Sequence, residues 1–125
     1  MNMLAIAVGG AVGSLLRYWL TVSVQHRLAT NFPWGTLAVN VIGSLLIGLL
    51  FILLQTRVQG NEALRLLLMV GLLGGFTTFS SFSLETLQLL QTGFWIKAVS
   101  NMLGSVGACL LAAFAGMLIG RLLSA

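Results

Sequence analysis

Long stretches without charge constrain this 125-residue chain more than any other feature of its sequence. Residues 28–56, 66–84 and 98–120 contain no charged residue, and Arg17 is the only charged residue before His26. A helix that crosses the hydrocarbon core of a bilayer needs about 20 mostly apolar residues, and each stretch supplies them. We therefore predict an all-α membrane protein. Its four transmembrane helices are expected over about 3–25, 34–55, 63–91 and 94–122.

The composition excludes an ordinary soluble domain. Hydrophobic residues make up 58% of the chain and charged residues 6%, whereas a soluble domain is about one-quarter charged. The connections between the predicted helices are short. We therefore expect residues 1–125 to form a single four-helix transmembrane domain that has the lipid bilayer as its solvent.

No pattern for catalysis or nucleic-acid binding is present. The sequence shows no nucleophile–base pair, no metal-ligand spacing and no phosphate-binding loop, so we do not expect an enzyme. The net charge of +4 comes from basic residues scattered singly over loops and helix ends. This distribution suits lipid headgroups better than nucleic acid.

The basic residues give almost no preference for one orientation in the membrane. The end with both termini and the middle loop holds Arg57, Arg65 and Arg121, and the other end holds Arg27 and Lys97. Arg17 can extend its side chain toward that second end, which would remove the difference. Since loop charge sets orientation, we predict insertion in both directions and an antiparallel dimer. The alternative is one orientation set by other signals.

Glycines at a spacing of four recur in the predicted helices. Small residues at this spacing let helix backbones approach closely in lipid. We therefore expect a tightly packed bundle or an oligomer. The pairs are Gly9 with Gly13, Gly71 with Gly75 and Gly116 with Gly120, and Ser44 with Gly48 resembles them.

Two ionisable residues, Arg17 and Glu85, lie within predicted membrane helices. An ionisable residue at this depth is by default a candidate for function. Asn40 lies inside the second helix, and Asn101 and Ser105 share a face of the fourth because they are four residues apart. These polar groups either line a pathway or serve as hydrogen-bonding links between helices. For the whole set we favour the pathway.

The segment GGFTTFSSFSLE, residues 74–85, is unusually polar for the middle of a membrane helix. Two glycines weaken the helix, and irregular backbone at this depth is tolerated only where it is buried or lines a cavity. We predict a break near the centre of the third helix, with carbonyls of residues 74–78 free to hold a cation. Phe76, Phe79 and Phe82 recur every three residues, so they should lie roughly on one side. Their spacing alone favours packing in the core or against lipid. The alternative is that their ring edges, which are positive, approach a small anion.

At these residues the chain resembles the small bacterial fluoride channels of the Fluc (CrcB) type. GGAVGSLLRY at 9–18 resembles the family's first helix, and GTLAVNVIGSLLIG at 35–48 resembles its second helix. GLLGGFTTFSSFSLE at 71–85 resembles the family's broken third helix and is the most specific of the three segments. The resemblance covers nearly the whole chain.

The resemblance implies an antiparallel homodimer of dual topology in the bacterial inner membrane, with two pores that passively export fluoride. By analogy, Phe79 and Phe82 line the pores and Asn40 donates a hydrogen bond near the ion. The carbonyls of Gly74 and Thr77 would hold a structural sodium ion at the dimer centre, and Arg17 would draw anions to the vestibule. A polar track of hydroxyl groups and a carboxylate would comprise Thr36, Ser81, Glu85 and Ser105. Asn101 matches the residue usual at its position in the family only loosely.

Two other functions are alternatives to a fluoride channel. Small dual-topology multidrug or cation exporters couple transport to protons through a carboxylate in the first helix, where this chain has Arg17 instead. A structural membrane subunit without transport would tolerate apolar replacement of Asn40, Phe79 and Phe82 with little loss beyond stability.

Overall fold

The computed structural model describes all 125 residues, and every regular element in it is helical. Four helical spans are long and apolar enough to cross a membrane, which confirms the predicted number. We label the two parts of the third span, Glu62–Gln91, separately as α3 and α4. The elements are α1 (Asn2–Leu28), α2 (Trp34–Arg57), α3 (residues 62–76), α4 (Phe79–Gln91) and α5 (Trp95–Ser124).

The helices extend slightly beyond the predicted boundaries, and local hydrogen bonds show why. α1 continues past residue 25 to Leu28 and stops at Ala29, which is left-handed with φ of 44° and donates its N–H to the Gln25 carbonyl oxygen. Gly60 and Gly93 have φ values of 87° and 84°, which suit glycine and turn the chain after α2 and α4. Asn61 caps α3, because its Oδ1 accepts from the Leu64 N–H at 3.0 Å.

The bundle consists of two main helix pairs, α1 with α3 and α2 with α5. The predicted glycine pairs lie at these two contacts. A Cβ at Gly13 would overlap the Leu72 carbonyl oxygen, and one at Gly71 would lie 2.8 Å from the Ile6 carbonyl oxygen. A Cβ at Gly116 would overlap the Leu45 carbonyl oxygen in the second pair. Close packing through small residues is therefore confirmed.

The outer surface is apolar. Only 20 of the 125 residues are buried, and large hydrophobic side chains on every span are exposed. In water this surface would be unstable, so lipid or another apolar surface must cover it. The protein is a multi-pass membrane protein.

The third span changes conformation twice along its length. Leu66–Leu73 form wider π-helical turns, and α3 then ends at Phe76. Thr77 and Thr78 are extended, with ψ values of 159° and 122°, before α4 begins at Phe79. Gly74 and Gly75, which were expected to weaken the helix, remain helical, and the extended residues follow them directly, within the predicted stretch 74–78. The extended residues are the two threonines, whose hydroxyl groups offer local hydrogen bonds that compete with those of a helix.

Candidate functional site

Asn40 of α2 holds the extended segment between α3 and α4. Its Nδ2 donates to the Thr78 carbonyl oxygen at 2.9 Å, and its Oδ1 accepts from the Thr78 N–H at 2.8 Å. The amide thus satisfies both backbone groups of a residue that has left the helix, as buried backbone requires. An amide nitrogen has two N–H groups, so one Asn40 donor remains beyond this pair.

Thr78 starts the following helix. Its Oγ1 accepts from the Ser81 N–H at 3.2 Å and so caps α4. The Thr78 N–H points to Asn40, and the Thr77 N–H bonds back to Leu73 at 3.0 Å. In a continuous helix the N–H groups of Thr78 and Ser81 would donate to the carbonyl oxygens of Gly74 and Thr77, but here they donate to Asn40 and to Thr78 Oγ1. The two carbonyl oxygens therefore lose their usual helical donors beside the interruption.

The three predicted phenylalanines do not share one environment. Phe76 ends α3 and is buried, whereas Phe79 begins α4 and is 76% exposed. The extended segment between them breaks the helical periodicity on which the prediction depended. Phe79 and Phe82 remain neighbours, with ring centroids 5.3 Å apart and planes inclined at 43°.

A groove of about 430 Å³ runs along the interruption and joins residues from α2, α3, α4 and α5. Most of its wall is apolar, and a few polar groups converge on it, which is the usual character of a small-ligand site. Six of the predicted site residues line this groove. They are Asn40, Gly74, Thr77, Phe79, Phe82 and Ser105.

Asn101 does not line that groove but lies behind it. It is 2% exposed, and its Nδ2 donates to Thr86 Oγ1 at 2.9 Å. Its Oδ1 accepts from Ser105 Oγ at 3.1 Å, which confirms that Asn101 and Ser105 share a helix face. Thr86 Oγ1 donates in turn to the Phe82 carbonyl oxygen at 2.7 Å. This chain of hydrogen bonds connects the groove wall at Ser105 to the backbone of α4.

Thr36 and Glu85 form a second polar contact nearer the first loop. The Thr36 hydroxyl donates to Glu85 Oε1 at 2.7 Å, whereas Glu85 Oε2 is buried without a hydrogen-bond partner. Glu85 also lines a separate groove of about 410 Å³ at this end of the bundle, together with Gln25 and Asn31. The predicted polar track is thus divided between two grooves.

Four predicted residues line neither groove, namely Thr36 and Asn101, described above, and Arg17 and Ser81. Arg17 is half-buried on α1, and Ser81 is half-buried in the first turn of α4. The backbone N–H of Ser81 donates to Thr78 Oγ1, whereas its hydroxyl makes no side-chain hydrogen bond within the protein.

Two residues that shape the site were missed by the sequence analysis. Thr86 links Asn101 to α4, and its position one helical turn after Phe82 could have indicated this role. Gln25 organises the first loop, because Nε2 donates to the Thr30 and Phe32 carbonyls while Oε1 accepts from the Gly35 N–H at 3.2 Å. No spacing rule predicts a contact between a helix end and the irregular loop that follows.

Comparison with known proteins identifies the family of this arrangement. The model of the CrcB-like proteins, described as "Camphor Resistance (CrcB)", matches residues 4–117. The chain belongs to the CrcB family. The match includes all four spans and both grooves, so the family assignment rests on the whole fold and not on one motif.

Curated relatives of this CrcB chain match it over almost its full length. A protein of Magnetococcus marinus is 52% identical over 98% of this chain and 100% of its own. A protein of Chloroflexus aurantiacus is 47% identical over 96% of this chain and 95% of its own. A protein of Roseiflexus is 47% identical over 98% of this chain and 99% of its own. Each is named "Fluoride-specific ion channel FluC".

Proposed function

We propose that this protein is a fluoride-selective channel that lets fluoride leave the cytoplasm passively and so lowers its concentration there. The relatives named as fluoride-specific channels support this function along the whole chain. The observation that carries the proposal is the groove in which Asn40, Phe79, Phe82 and Ser105 meet beside an interrupted helix.

The chemistry of this groove suits a small, strongly hydrated anion. Fluoride enters only where hydrogen-bond donors replace its water, and the remaining N–H of Asn40 is such a donor. The edges of the Phe79 and Phe82 rings carry partial positive charge. None of these groups bears a full charge that would trap the ion, and conduction requires sites weak enough to release it.

The pathway is completed, in this proposal, by a second copy of opposite orientation in the bacterial inner membrane. One copy leaves Phe79 76% exposed and the groove open along its side. An antiparallel partner would cover both and create two equivalent pores. The near balance of basic residues between the two ends supports insertion in both directions.

A sodium ion at the centre of this dimer fits the free backbone carbonyls. Hard cations prefer oxygen ligands, and interrupted membrane helices offer carbonyl oxygens for sodium. Gly74 and Thr77 would hold the ion, because the N–H groups that would donate to their carbonyl oxygens in a continuous helix bond elsewhere. Its positive charge would offset part of the cost of an anion within the membrane.

The other predicted residues have outer positions in the proposed pathway. Arg17 would attract anions toward the vestibule by its charge. The Ser81 hydroxyl would offer another donor, and Thr36 would hold Glu85 by their hydrogen bond. Asn101 would act indirectly, because it is buried and fixes the positions of Ser105 and Thr86.

Halide efflux from liposomes tests the proposed function directly. Purified protein is reconstituted in liposomes loaded with fluoride or chloride, and a potassium ionophore carries the balancing charge. Fast release of fluoride with chloride retained is the expected result. Failure to release either ion from a folded, dimeric preparation would favour a structural subunit or a cation exporter.

Replacement of Phe79 by isoleucine tests the assignment of the pathway. The aliphatic side chain keeps the apolar surface but has no positive ring edge, so fluoride efflux should fall while the dimer stays assembled. Phe51→Ile is the matched control, because Phe51 is exposed on α2 and does not line this groove. Equal efflux from both variants would contradict the role given to Phe79.

A further inference from the structure

A third groove lies at the opposite end of the bundle from the first loop. It has a volume of about 500 Å³ and runs between the end of α2 and the start of α3. None of the predicted pore residues lines it. Since α2 ends and α3 begins here, the groove opens at the level of the lipid headgroups.

The rim of this groove is polar and has unused hydrogen-bonding capacity. Gln55, Gln59, Asn61, Glu62 and Arg65 surround it. Asn61 Oδ1 accepts from the Leu64 N–H, which leaves the side-chain amide N–H groups of Asn61 available. Glu62 and Arg65 lie three residues apart on one helix face, so a negative and a positive group stand side by side at the rim.

The wall of the groove is apolar toward the membrane. Phe51, Leu54, Val58 and Met69 form this part, and Phe51 is 37% exposed. Phe51 and Met69 lie deeper in their helices than the polar residues of the rim, so the groove leads from charged groups into hydrocarbon. A phospholipid changes along its length from a charged headgroup to an apolar acyl chain, so it matches a groove that changes from a polar rim to an apolar wall.

We propose that this groove binds a phospholipid with a primary-amine headgroup. Arg65 and the neighbouring amides would hold the phosphate, Glu62 would accept hydrogen bonds from the ammonium group, and the apolar wall would pack against an acyl chain. An anionic headgroup such as that of phosphatidylglycerol has no ammonium group to balance the charge of Glu62. A trimethylated headgroup has no N–H to donate to that carboxylate.

Lipid retention measured by native mass spectrometry tests this proposal. The full-length protein is equilibrated in mixed micelles with equal amounts of phosphatidylethanolamine, phosphatidylcholine and phosphatidylglycerol. We expect several-fold greater retention of phosphatidylethanolamine. Glu62→Gln should make retention of phosphatidylethanolamine and phosphatidylcholine equal, and Arg65→Gln should lower retention of all three by roughly fivefold, as expected for one basic residue at the surface.

Arg121→Gln is the matched control, because Arg121 is exposed at the same end but does not line the groove. It should leave the preference unchanged. Glu62 and Arg65 are exposed, and thermal unfolding of each variant verifies that it is folded. Equal retention of the three lipids by the unsubstituted protein would overturn the proposal, as would a preference that survives Glu62→Gln. Displacement by soluble glycerophosphoethanolamine at equal concentration would overturn the assignment to a lipid.

Discussion

Asn40 combines two tasks that a sequence pattern does not separate. Its carbonyl oxygen and one N–H are used by the backbone of Thr78, which leaves one N–H that the proposed pathway assigns to the ion. The same side chain therefore holds the extended segment in place and offers a donor beside it. An apolar residue could do neither, and a charged one would bind a counter-ion or repel fluoride.

Substitution of Asn40 by alanine should reduce fluoride efflux by at least about tenfold, which corresponds to ~1.4 kcal/mol. The Thr78 N–H and carbonyl would lose their partners, at a cost of about 1–3 kcal/mol for each group that stays buried and unpaired. Thermal unfolding in detergent should therefore occur at lower temperature, although the dimer should remain assembled.

Ser44→Ala is the control for Asn40→Ala. Ser44 lines the same groove one helical turn further along α2, and α2 is otherwise unchanged by the substitution. Its efflux should stay near that of the unsubstituted protein. A rate of fluoride efflux from Asn40→Ala equal to that of the unsubstituted protein would show that Asn40 is not part of the pathway.

Residue types indicated which positions matter but not how they pair. Polar side chains at 40, 85, 101 and 105 were recognisable because hydrocarbon selects against them. Their partners follow from the path of the backbone around Thr77 and Thr78, which no periodicity predicts. Asn101 illustrates the difference. That it lies on the same helix face as Ser105 was predicted, but its hydrogen bond to Thr86 was not.

Among the elements, α4 is held mainly by polar bridges. Thr78 bonds to Asn40 and Glu85 bonds to Thr36, both on α2, and Thr86 bonds to Asn101 on α5. Only Thr86 and Leu89 of α4 are buried, so apolar packing contributes little within one copy. The position of the Phe79–Phe82 pair therefore depends on these hydrogen bonds.

Replacement of Thr86 by valine should loosen α4 without altering its shape. Valine keeps the branched volume but removes the hydroxyl that accepts from Asn101. Hydrogen exchange of residues 79–91 should become faster, while exchange in α1 stays unchanged. Ser83→Ala is the matched control, because the Ser83 hydroxyl bonds only to Phe79 of its own helix. Equal exchange in the two variants would show that the bridge does not hold α4.

The close contact between α1 and α3 depends on glycines, which have no side chain to separate the two backbones. A Cβ at Gly13 would meet the Leu72 carbonyl oxygen, which belongs to the backbone and cannot move aside easily. Gly13→Val should therefore separate the two helices and sharply reduce the yield of folded protein, as judged by size-exclusion chromatography. Ala11→Val on the exposed side of the same helix should not. Folded Gly13→Val at normal yield would argue against a rigid glycine contact.

Long elements were predictable because one property repeats along them. Hydrophobic stretches predicted four spans, and the spacing of small residues predicted their contacts, since both depend on the solvent and on helix geometry alone. The site of the interruption was not predictable in this way. Gly74 and Gly75 have the lower helix propensity, yet tertiary contacts keep them helical, and Asn40 stabilises the extended conformation two residues later.

At the scale of the whole molecule, charge balance and exposed surface lead to the same assembly. The end with both termini has three basic residues near helix ends, and the other end has two. Little favours either orientation during insertion. Since one copy leaves its groove open on one side, two copies of opposite orientation would supply the missing wall for each other.

Variants forced into one orientation should be inactive alone and active together. Asn2→Lys with Ala125→Lys adds positive charge to the end with the termini, whereas Thr30→Lys with Gln91→Lys adds it to the other end. Because added basic residues keep their end in the cytoplasm, each double variant should insert in one direction only and lack its antiparallel partner. Fluoride efflux from cells should be lost in each and restored when both are co-expressed.

The four positions are exposed and do not line either site groove, so the substitutions do not touch the pathway itself. Normal efflux from one double variant, with its single orientation verified by labelling of an added terminal cysteine, would show that a parallel assembly or a single copy conducts and that the antiparallel dimer is not required.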